Sequence, residues 1–270
     1  MQNLKEIKIG CIGCGTMGSS LIKSMLKVCS NENIFISTKH PKNAKKFASE
    51  NKINACDSNL DLAQKADYIF LAVKPAYICE VLSQIESALN GKIIISMAAG
   101  ININTLSKSF NALPKALIRI MPNLPATVGE AMTALCTECD DKEIIETVKT
   151  LLSTAGRVEQ VEEKLMDGVT AISGSGPAYG FLFIEALADA AVKFGIPRKQ
   201  AYVYAAQTLK GAASMALEDE RSISQLKDAV CSPGGTTIEG VISLEKNGFR
   251  GTVIDCAEAV YKRSVELGKK

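Results

Sequence analysis

The chain has 270 residues, of which 47% are hydrophobic and 22% are charged, as in an ordinary globular protein of one large or two modest domains. Its net charge of +2 gives no argument for binding nucleic acid or an anionic membrane, and no apolar run is long enough to span a bilayer. The first six residues lack a signal-peptide pattern. We therefore expect a cytoplasmic protein without nucleic-acid or membrane partners.

Short apolar segments alternate with amphipathic ones through the first half of the chain. Strands are predicted at residues 7–12, 33–37, 67–73, 92–98 and 116–121. A helix is predicted at residues 17–29, and Pro41 and Pro75 stand where further helices would begin, since proline is well tolerated in a first helical turn. This alternation predicts a doubly wound α/β sheet.

After about Glu162 the strand pattern stops and long Ala-rich helical segments follow. Helices are predicted at residues 178–194, 198–216, 234–246 and 252–267. Their small residues permit close packing of antiparallel or intersubunit helices. The sequence therefore predicts an N-terminal α/β domain over residues 1–162 and an all-helical domain over residues 163–270.

A G-x-G-x-x-G motif begins at Gly13, directly after the first strand, and opens a helix. Gly13 permits a tight turn, Gly15 lets the backbone approach a pyrophosphate, and Gly18 allows the helix to pack closely on the sheet. Thr16 and Met17 lie in the first helical turn, whose N–H groups suit phosphate. A glycine-rich turn without a ligand is the alternative, but this position in a βαβ pattern favours a dinucleotide site.

The end of the second strand distinguishes between nicotinamide cofactors. NAD-selective sites place an acidic residue there to bind the ribose 2′-hydroxyl. This chain instead has Ser37, Thr38 and Lys39, which could bind a 2′-phosphate. The segment favours NADPH over NADH, and a solvated turn that accepts both cofactors is the alternative.

Two further strand ends belong to the predicted ligand-binding edge of the sheet. The predicted strand at residues 67–73 leads into Ala72, Val73, Lys74 and Pro75, and the next predicted strand ends in Ala98-Ala99. Their small residues would let the nicotinamide and its ribose lie across this edge. Lys74 is a candidate contact for ribose or phosphate, because a cation used merely as a helix-start cap would oppose the helix dipole.

Cysteine and histidine limit the available chemistry. Cys11/Cys14 and Cys136/Cys139 have C-x-x-C spacing, which raises zinc or redox chemistry, but buried reduced thiols are the favoured interpretation. His40, the single histidine, precedes a proline in a Lys-rich turn and is expected to be solvated. Catalytic triads and multi-histidine zinc sites are therefore not expected.

Two later segments, Ser173–Pro177 and Ser232–Thr237, combine hydroxyl side chains with glycine and proline. As loops, they would present backbone N–H groups to an anion, with Ser175 as one candidate contact. Helix capping is the alternative role for Thr236 and Thr237. The residues alone indicate an NADPH-dependent reductase of a small carboxylate.

The order of five motifs resembles that of pyrroline-5-carboxylate reductases. The motifs begin at Gly13, Ala72, Arg119, Ser173 and Ser232 and read GCGTMG, AVKP, RIMPNLP, SGSGPAY and SPGGTT. The resemblance implies a Rossmann-like domain followed by a helical dimerisation domain. It also implies reduction of the C5=N imine of 1-pyrroline-5-carboxylate to L-proline with NAD(P)H, the last step of proline biosynthesis, by homodimers that assemble into a larger homo-oligomer such as a decamer.

The resemblance also assigns site residues. It places Thr237 within hydrogen-bond reach of the ring nitrogen and Glu163 near the substrate, and it makes Asn59 a cofactor contact. The substrate carboxylate would lie on the backbone N–H groups around Gly235, Thr236 and Thr237, with Gly234 as a further substrate-binding residue. The chain departs from the family pattern at Cys231, where Ser or Thr is common, and at Ala229, where some relatives have Asn.

Two other functions remain open at the level of sequence. A β-hydroxyacid dehydrogenase-like enzyme would need a catalytic lysine, and Lys193, Lys199 and Lys210 are available, although none lies in a glycine-rich motif. A non-catalytic NADPH-sensing module would need only the first glycine motif. A six-membered cyclic imine is a further substrate candidate, because one methylene changes binding by only ~1–3 kcal/mol.

Overall fold

The computed structural model describes residues 3–111 and 114–268. Met1 and Gln2, part of the segment examined for a signal peptide, lie outside the described residues. The described chain divides into two compact units, the first of residues 3–175 with 260–268 and the second of residues 176–259. The predicted division into functional domains at residues 162/163 stays a prediction; the compact units divide later because residues 163–175 pack with the first unit.

The described part of the first unit contains eight strands: β1 (Ile9–Ile12), β2 (Ile34–Ser37), β3 (Asn54–Ala55), β4 (Tyr68–Leu71), β5 (Ile93–Ser96), β6 (Ala116–Met121), β7 (Ala131–Thr137) and β8 (Gly156–Gln160). Its helices are α1 (Thr16–Met25), α2 (Pro41–Asn51), α3 (Asn59–Lys65), α4 (Ile78–Ile85), α5 (Ile103–Ser107), α6 (Lys142–Ser153) and α7 (Met166–Val169). The remaining helices are α8 (Gly176–Lys193), α9 (Arg198–Glu218), α10 (Ile223–Val230), α11 (Thr236–Lys246) and α12 (Phe249–Gly268).

The strands form one sheet in the order β3-β2-β1-β4-β5-β6-β7-β8. Strands β1 to β6 are parallel, β7 runs antiparallel to β6, and β8 is parallel to β7. The order of the first six strands is that of the dinucleotide-binding fold, and it confirms the predicted doubly wound α/β sheet. In register, Ile12 pairs with both Ser37 and Leu71, so the ends of β1, β2 and β4 lie side by side.

All five predicted strands are present, each within its predicted range. The sequence prediction did not include strands β3, β7 and β8, or helices α3, α5, α6, α7 and α10. The predicted helix at residues 17–29 was too long, because α1 ends at Met25. Pro41 opens α2 as predicted, whereas Pro75 opens a single 3₁₀ turn that leads into α4.

Helices cover both faces of the sheet. Residues Leu21 and Ile22 of α1 and Val148 of α6 are buried in the core on one face. Leu62 of α3 and Leu82 of α4 are buried in the core on the other. Because both faces are buried, the central strands are continuous apolar runs, which is the pattern that identified them in the sequence.

The second unit is helical in its described residues, as predicted. Ala188 of α8 packs with Ala201 and Ala205 of α9, and small side chains there let the two helices approach closely. Large apolar side chains nevertheless remain exposed in this unit, including Phe181, Leu182, Phe194, Val203 and Tyr204. Among the described residues no helix is both long and apolar enough to cross a membrane.

Candidate active site

The glycine motif forms a tight turn between β1 and α1. Gly13 has a φ of 106°, and a Cβ at this position would collide with the carbonyl oxygen of Ala72. At Gly18 a Cβ would lie 2.7 Å from the carbonyl oxygen of Gly13, so the helix packs against the turn. Gly15 faces open space and is the N-cap of α1 without a side-chain cap. The first N–H groups of α1 are thus available for a phosphate, as the motif predicts.

A cleft of about 600 Å³ lies at the carboxyl ends of β1, β2 and β4. The predicted cofactor residues that line it are Gly13, Gly15, Thr38, Lys39, Asn59, Ala72, Val73 and Lys74. Thr16, Met17, Gly18, Ser37, Pro75, Ala98 and Ala99 are not among its lining residues. The size and position of the cleft suit the adenosine and diphosphate part of a dinucleotide.

Ser37 is buried and does not itself line the cleft. The residue is the last of β2 and is only 1% exposed, and its hydroxyl donates a hydrogen bond to Oδ1 of Asn59 at 2.7 Å. Asn59 in turn donates from Nδ2 to Oε1 of Gln84 at 2.6 Å. The hydroxyl of Ser37 thus orients Asn59, which does line the cleft, and the predicted contact of Ser37 with the 2′-phosphate stays a prediction.

Thr38 and Lys39 lie at the rim of the cleft. The hydroxyl of Thr38 donates to the carbonyl oxygen of His40 at 2.8 Å. Nζ of Lys39 lies 5.4 Å from the centroid of the Tyr77 ring, a cation–π contact that a phosphate could displace. His40 is exposed, as predicted, yet it also lines the cleft, as do Tyr77 and Gln84, which sequence reasoning missed. The position of Tyr77 just after the AVKP motif was the available signal.

The end of β5 lies two strands away from β1. Ala98 is buried, Ala99 is half-buried, and Gly100 turns the chain with a φ of 75°. A Cβ at Gly100 would lie 3.4 Å from the backbone N of Gly268, so the last turn of α12 rests on this bend. Small residues at 98–100 are consistent with close packing, and their predicted role beside the nicotinamide stays a prediction.

Glu163 lies in the first unit, where its carboxylate has two partners. Its Oε1 accepts a hydrogen bond from the backbone N–H of Ile103 at 2.7 Å and lies 3.3 Å from Nη1 of Arg119. The Arg119 side chain is only 7% exposed, whereas that of Glu163 is 31% exposed. The carboxylate thus neutralises a buried cation and holds the start of α5. These contacts give Glu163 a structural role. Its predicted proximity to the substrate stays a prediction.

The segment Ser173–Pro177 is helical, and the prediction of a loop was wrong. α7 continues into a π-turn at Thr170–Gly174, and α8 starts at Gly176. The N–H of Ser175 donates to the carbonyl oxygen of Thr170 at 3.0 Å, the i to i−5 bond that defines a π-turn. Glycine and serine suggested a loop, but here a small residue is needed because a Cβ at Gly174 would lie 2.8 Å from Cε of Met121.

The segment Ser232–Thr237 is a turn followed by the first residues of α11. The N–H of Gly235 donates to the carbonyl oxygen of Ser232 at 3.0 Å, and Gly234 has a φ of 66°. Gly235 is the N-cap, so Thr236 and Thr237 do not cap this helix and the capping alternative is wrong. Since glycine offers no side-chain acceptor, the first N–H groups of α11 remain open to an anion.

Comparisons with known proteins cover nearly the whole chain. The family model described as pyrroline-5-carboxylate reductase dimerisation matches residues 163–267, and the model described as NADP oxidoreductase, coenzyme F420-dependent, matches residues 8–100. Pyrroline-5-carboxylate reductases from Synechocystis and Escherichia coli are 40% and 41% identical to this chain over 98% of it, and the alignments cover 100% and 99% of those proteins. The chain belongs to the pyrroline-5-carboxylate reductase family.

Solved structures agree with this assignment. The crystal structure of Plasmodium falciparum pyrroline carboxylate reductase with NADP bound has a TM-score of 0.88 and 36% identity, covering 98% of this chain and 99% of that one. The pyrroline-5-carboxylate reductase from Coxiella burnetii has a TM-score of 0.91 and 32% identity, with the same coverage. Family membership confirms the resemblance, and it does not favour the dehydrogenase-like or sensing alternatives.

The two C-x-x-C pairs of this family member lie within the first unit. Cys11 and Cys136 are buried, and burial raises the pKa of both thiols, that of Cys136 to about 11. The Cys11 thiol donates to the carbonyl oxygen of Gly13 at 3.2 Å and so belongs to the glycine turn. Cys14 and Cys139 are half-buried, and all nine cysteines are free. The described residues contain no cluster of three or more His, Cys, Asp or Glu side chains suited to a metal ion.

Proposed function

We propose that this enzyme reduces the C5=N bond of 1-pyrroline-5-carboxylate to L-proline, the final step of proline biosynthesis, with NADPH as the preferred donor and NADH as the alternative. The supporting observation is similarity along the full chain: relatives of that name align with 98% of it at 40–41% identity. The cleft after β1 and the open N-terminus of α11 supply the two kinds of anion site that such a reaction needs.

Cofactor binding is assigned to the edge of the sheet. NADPH, when bound, supplies the hydride for the reduction. The N–H groups that start α1 would hold the diphosphate, with Gly15 allowing close approach. Lys39 and the backbone around Thr38 would hold the 2′-phosphate at the cleft rim, and Asn59 would contact the adenosine side.

Substrate binding is assigned to the start of α11. The open N–H groups around Gly235, Thr236 and Thr237 suit the substrate carboxylate, because a helix N-terminus combines donors with positive dipole. The Thr237 hydroxyl would orient the imine nitrogen. Threonine is a weak acid, so the proton on nitrogen comes from a protonated imine or from water rather than from Thr237. Positioning and charge stabilisation then suffice, because the iminium carbon is already electron-poor.

Assembly is assigned to the helical part of the chain. Residues 163–267 match a dimerisation model, and large apolar side chains such as Phe181, Phe194 and Tyr204 are exposed in the second unit. We infer a homodimer that buries these side chains and assembles into a larger homo-oligomer such as a decamer. Location in the cytoplasm stays an expectation from the sequence.

A steady-state assay tests the proposed function. Purified protein is mixed with 1-pyrroline-5-carboxylate and either NADPH or NADH, and cofactor oxidation is followed together with proline formation. We expect turnover with both donors and a higher kcat/KM with NADPH. Parallel reactions contain the six-membered cyclic imine, or 3-hydroxyisobutyrate with NADP⁺. Absence of turnover with 1-pyrroline-5-carboxylate would overturn the proposal, and faster turnover of either other substrate would reassign the enzyme.

A further inference from the structure

The RIMPNLP motif, residues 119–125, has no assigned role in the proposed reaction. Several of its side chains nevertheless make specific contacts. Arg119 and Met121 belong to β6, and Asn123 lies two residues beyond its end. Residues two apart on a strand face the same side of a sheet, so these three positions form one strip. The intervening residue Ile120 belongs instead to the core on the opposite face.

Each member of this strip contacts the segment that leads into α8. Arg119 pairs with Glu163 at 3.3 Å. Met121 packs against Gly174: a Cβ added at Gly174 would lie only 2.8 Å from Cε of Met121. Asn123 donates from Nδ2 to the carbonyl oxygen of Ser173 at 3.1 Å. The strip therefore fixes residues 163–174 at their start and at their end.

The bond from Asn123 compensates for a missing helical donor. In an α-helix the carbonyl of Ser173 would accept from residue 177, but Pro177 has no N–H. Leaving this half-buried carbonyl without a donor would be destabilising, and the side-chain amide of Asn123 supplies the donor. Asn123 is only 8% exposed, and its Oδ1 accepts from the backbone N–H of Met132 at 3.0 Å. Both ends of the amide are thus engaged, which fixes its orientation.

The π-turn lies at the cofactor edge of the sheet. β6 is parallel to β5, with Arg119 paired to Ser96, so Asn123 lies beyond the same carboxyl edge as Ala98. The segment Leu124–Val128, which follows Asn123, lies against α1, the helix that begins at the glycine turn. π-turns inside α-helices are frequent at functional sites, and this one ends beside Ser175, a predicted substrate contact.

We propose that Asn123 is a positioning residue for the reduction: it holds the π-turn Thr170–Gly174 and thereby sets the place of Ser175 relative to the bound substrate. The expected effect on kcat/KM rests on the proposed function. The expected effect on the π-turn itself rests on the hydrogen bonds alone. Asn123 does not line the cleft assigned to the adenosine and diphosphate part, so we expect little effect on NADPH affinity.

The test compares Asn123→Ala and Asn123→Asp with the wild-type enzyme. Alanine removes every hydrogen bond of the Asn123 side chain, whereas aspartate keeps the acceptor for Met132 but replaces the donor to Ser173 with an oxygen. We expect both variants to lower kcat/KM for 1-pyrroline-5-carboxylate about 10- to 100-fold, because a misplacement near 1 Å has that effect. The dissociation constant of NADPH should stay within about twofold, and hydrogen exchange should rise in residues 170–175 of both variants.

Asn54→Ala is the matched control. Asn54 also donates from one amide to two backbone carbonyls, those of Glu32 and Ile34, but it does so at the far edge of the sheet. It should lose comparable stability and keep wild-type kinetics. The inference is overturned if the Asn123 variants keep wild-type kcat/KM, if they weaken NADPH equally, or if exchange at residues 170–175 is unchanged. If the wild-type enzyme itself fails to turn over, the proposed function fails, and exchange alone then decides the structural role.

Discussion

The buried hydroxyl of Ser37 donates to Oδ1 of Asn59 at 2.7 Å, and this bond decides which way the Asn59 amide faces. With Oδ1 engaged, Nδ2 donates to Gln84 at 2.6 Å. The three residues connect the end of β2 with α3 and α4. A residue in the cofactor cleft is therefore positioned by one that does not line it.

We expect Ser37→Ala to weaken NADPH binding about fivefold, because one net hydrogen bond contributes ~1 kcal/mol. Asn59→Ala should have a larger effect in the same direction. Titration with NADPH by fluorescence or calorimetry measures both. Ser264→Ala is the control, since that buried serine donates to Asp167 at 2.6 Å and lies outside the cleft. An unchanged dissociation constant for Ser37→Ala would remove the positioning role.

Lys39 should determine the preference for NADPH. A charge-assisted bond to the 2′-phosphate contributes about 1.5–3 kcal/mol, so Lys39→Ala should raise the KM for NADPH about tenfold or more and leave that for NADH nearly unchanged. Lys42→Ala is the matched control, because Lys42 is exposed on α2 but does not line the cleft. Equal losses for both cofactors would show that Lys39 does not contact the 2′-phosphate.

The parts of the fold that depend on local pattern were predictable. β6 coincides with its predicted range, and Pro41 opens a helix as its fixed φ allows. The glycine turn was also predictable, because a Cβ at Gly13 or Gly18 would collide with the neighbouring backbone.

The parts that depend on tertiary partners were not predictable from local pattern. The glycine- and serine-rich sequence at 173–176 indicates a loop by composition, yet contacts from Met121 and Asn123, some fifty residues away, hold it in a helix. Ser37 is a second example. Its position in the sequence suggested a phosphate contact, and only the fold shows that its hydroxyl donates a hydrogen bond to Asn59. Local sequence propensity does not determine the structure where a distant side chain supplies a hydrogen-bond partner or occupies one.

Thr237 gives the most direct test of the substrate site. Thr237→Ala removes the hydroxyl but keeps the backbone N–H at the start of α11, so carboxylate binding should survive. We expect kcat to fall about 10- to 100-fold, with the KM for 1-pyrroline-5-carboxylate and NADPH affinity little changed. Thr237→Ser retains a hydroxyl and should recover most of the activity. Full activity of the alanine variant would exclude Thr237 from the mechanism.

Thr133 provides a test of the core that is independent of function. Its Oγ1 is fully buried in β7 and has no hydrogen-bond partner within the described part of the chain. A buried polar group without a partner is destabilising, and valine has nearly the same shape without the hydroxyl. We therefore expect Thr133→Val to raise the free energy of unfolding by ~1 kcal/mol, measured by urea denaturation.

Thr137, four residues along the same strand, is the matched control. Its hydroxyl donates to the carbonyl oxygen of Leu117 at 2.8 Å and accepts from the N–H of Cys139 at 3.1 Å. Thr137→Val leaves both of these backbone groups without their partner and should lower the free energy of unfolding by about 1–3 kcal/mol. Opposite signs for the two substitutions on one strand would establish that satisfaction of the hydroxyl, and not strand propensity, controls stability here. A loss of stability in both variants would show that the Thr133 hydroxyl is satisfied in solution.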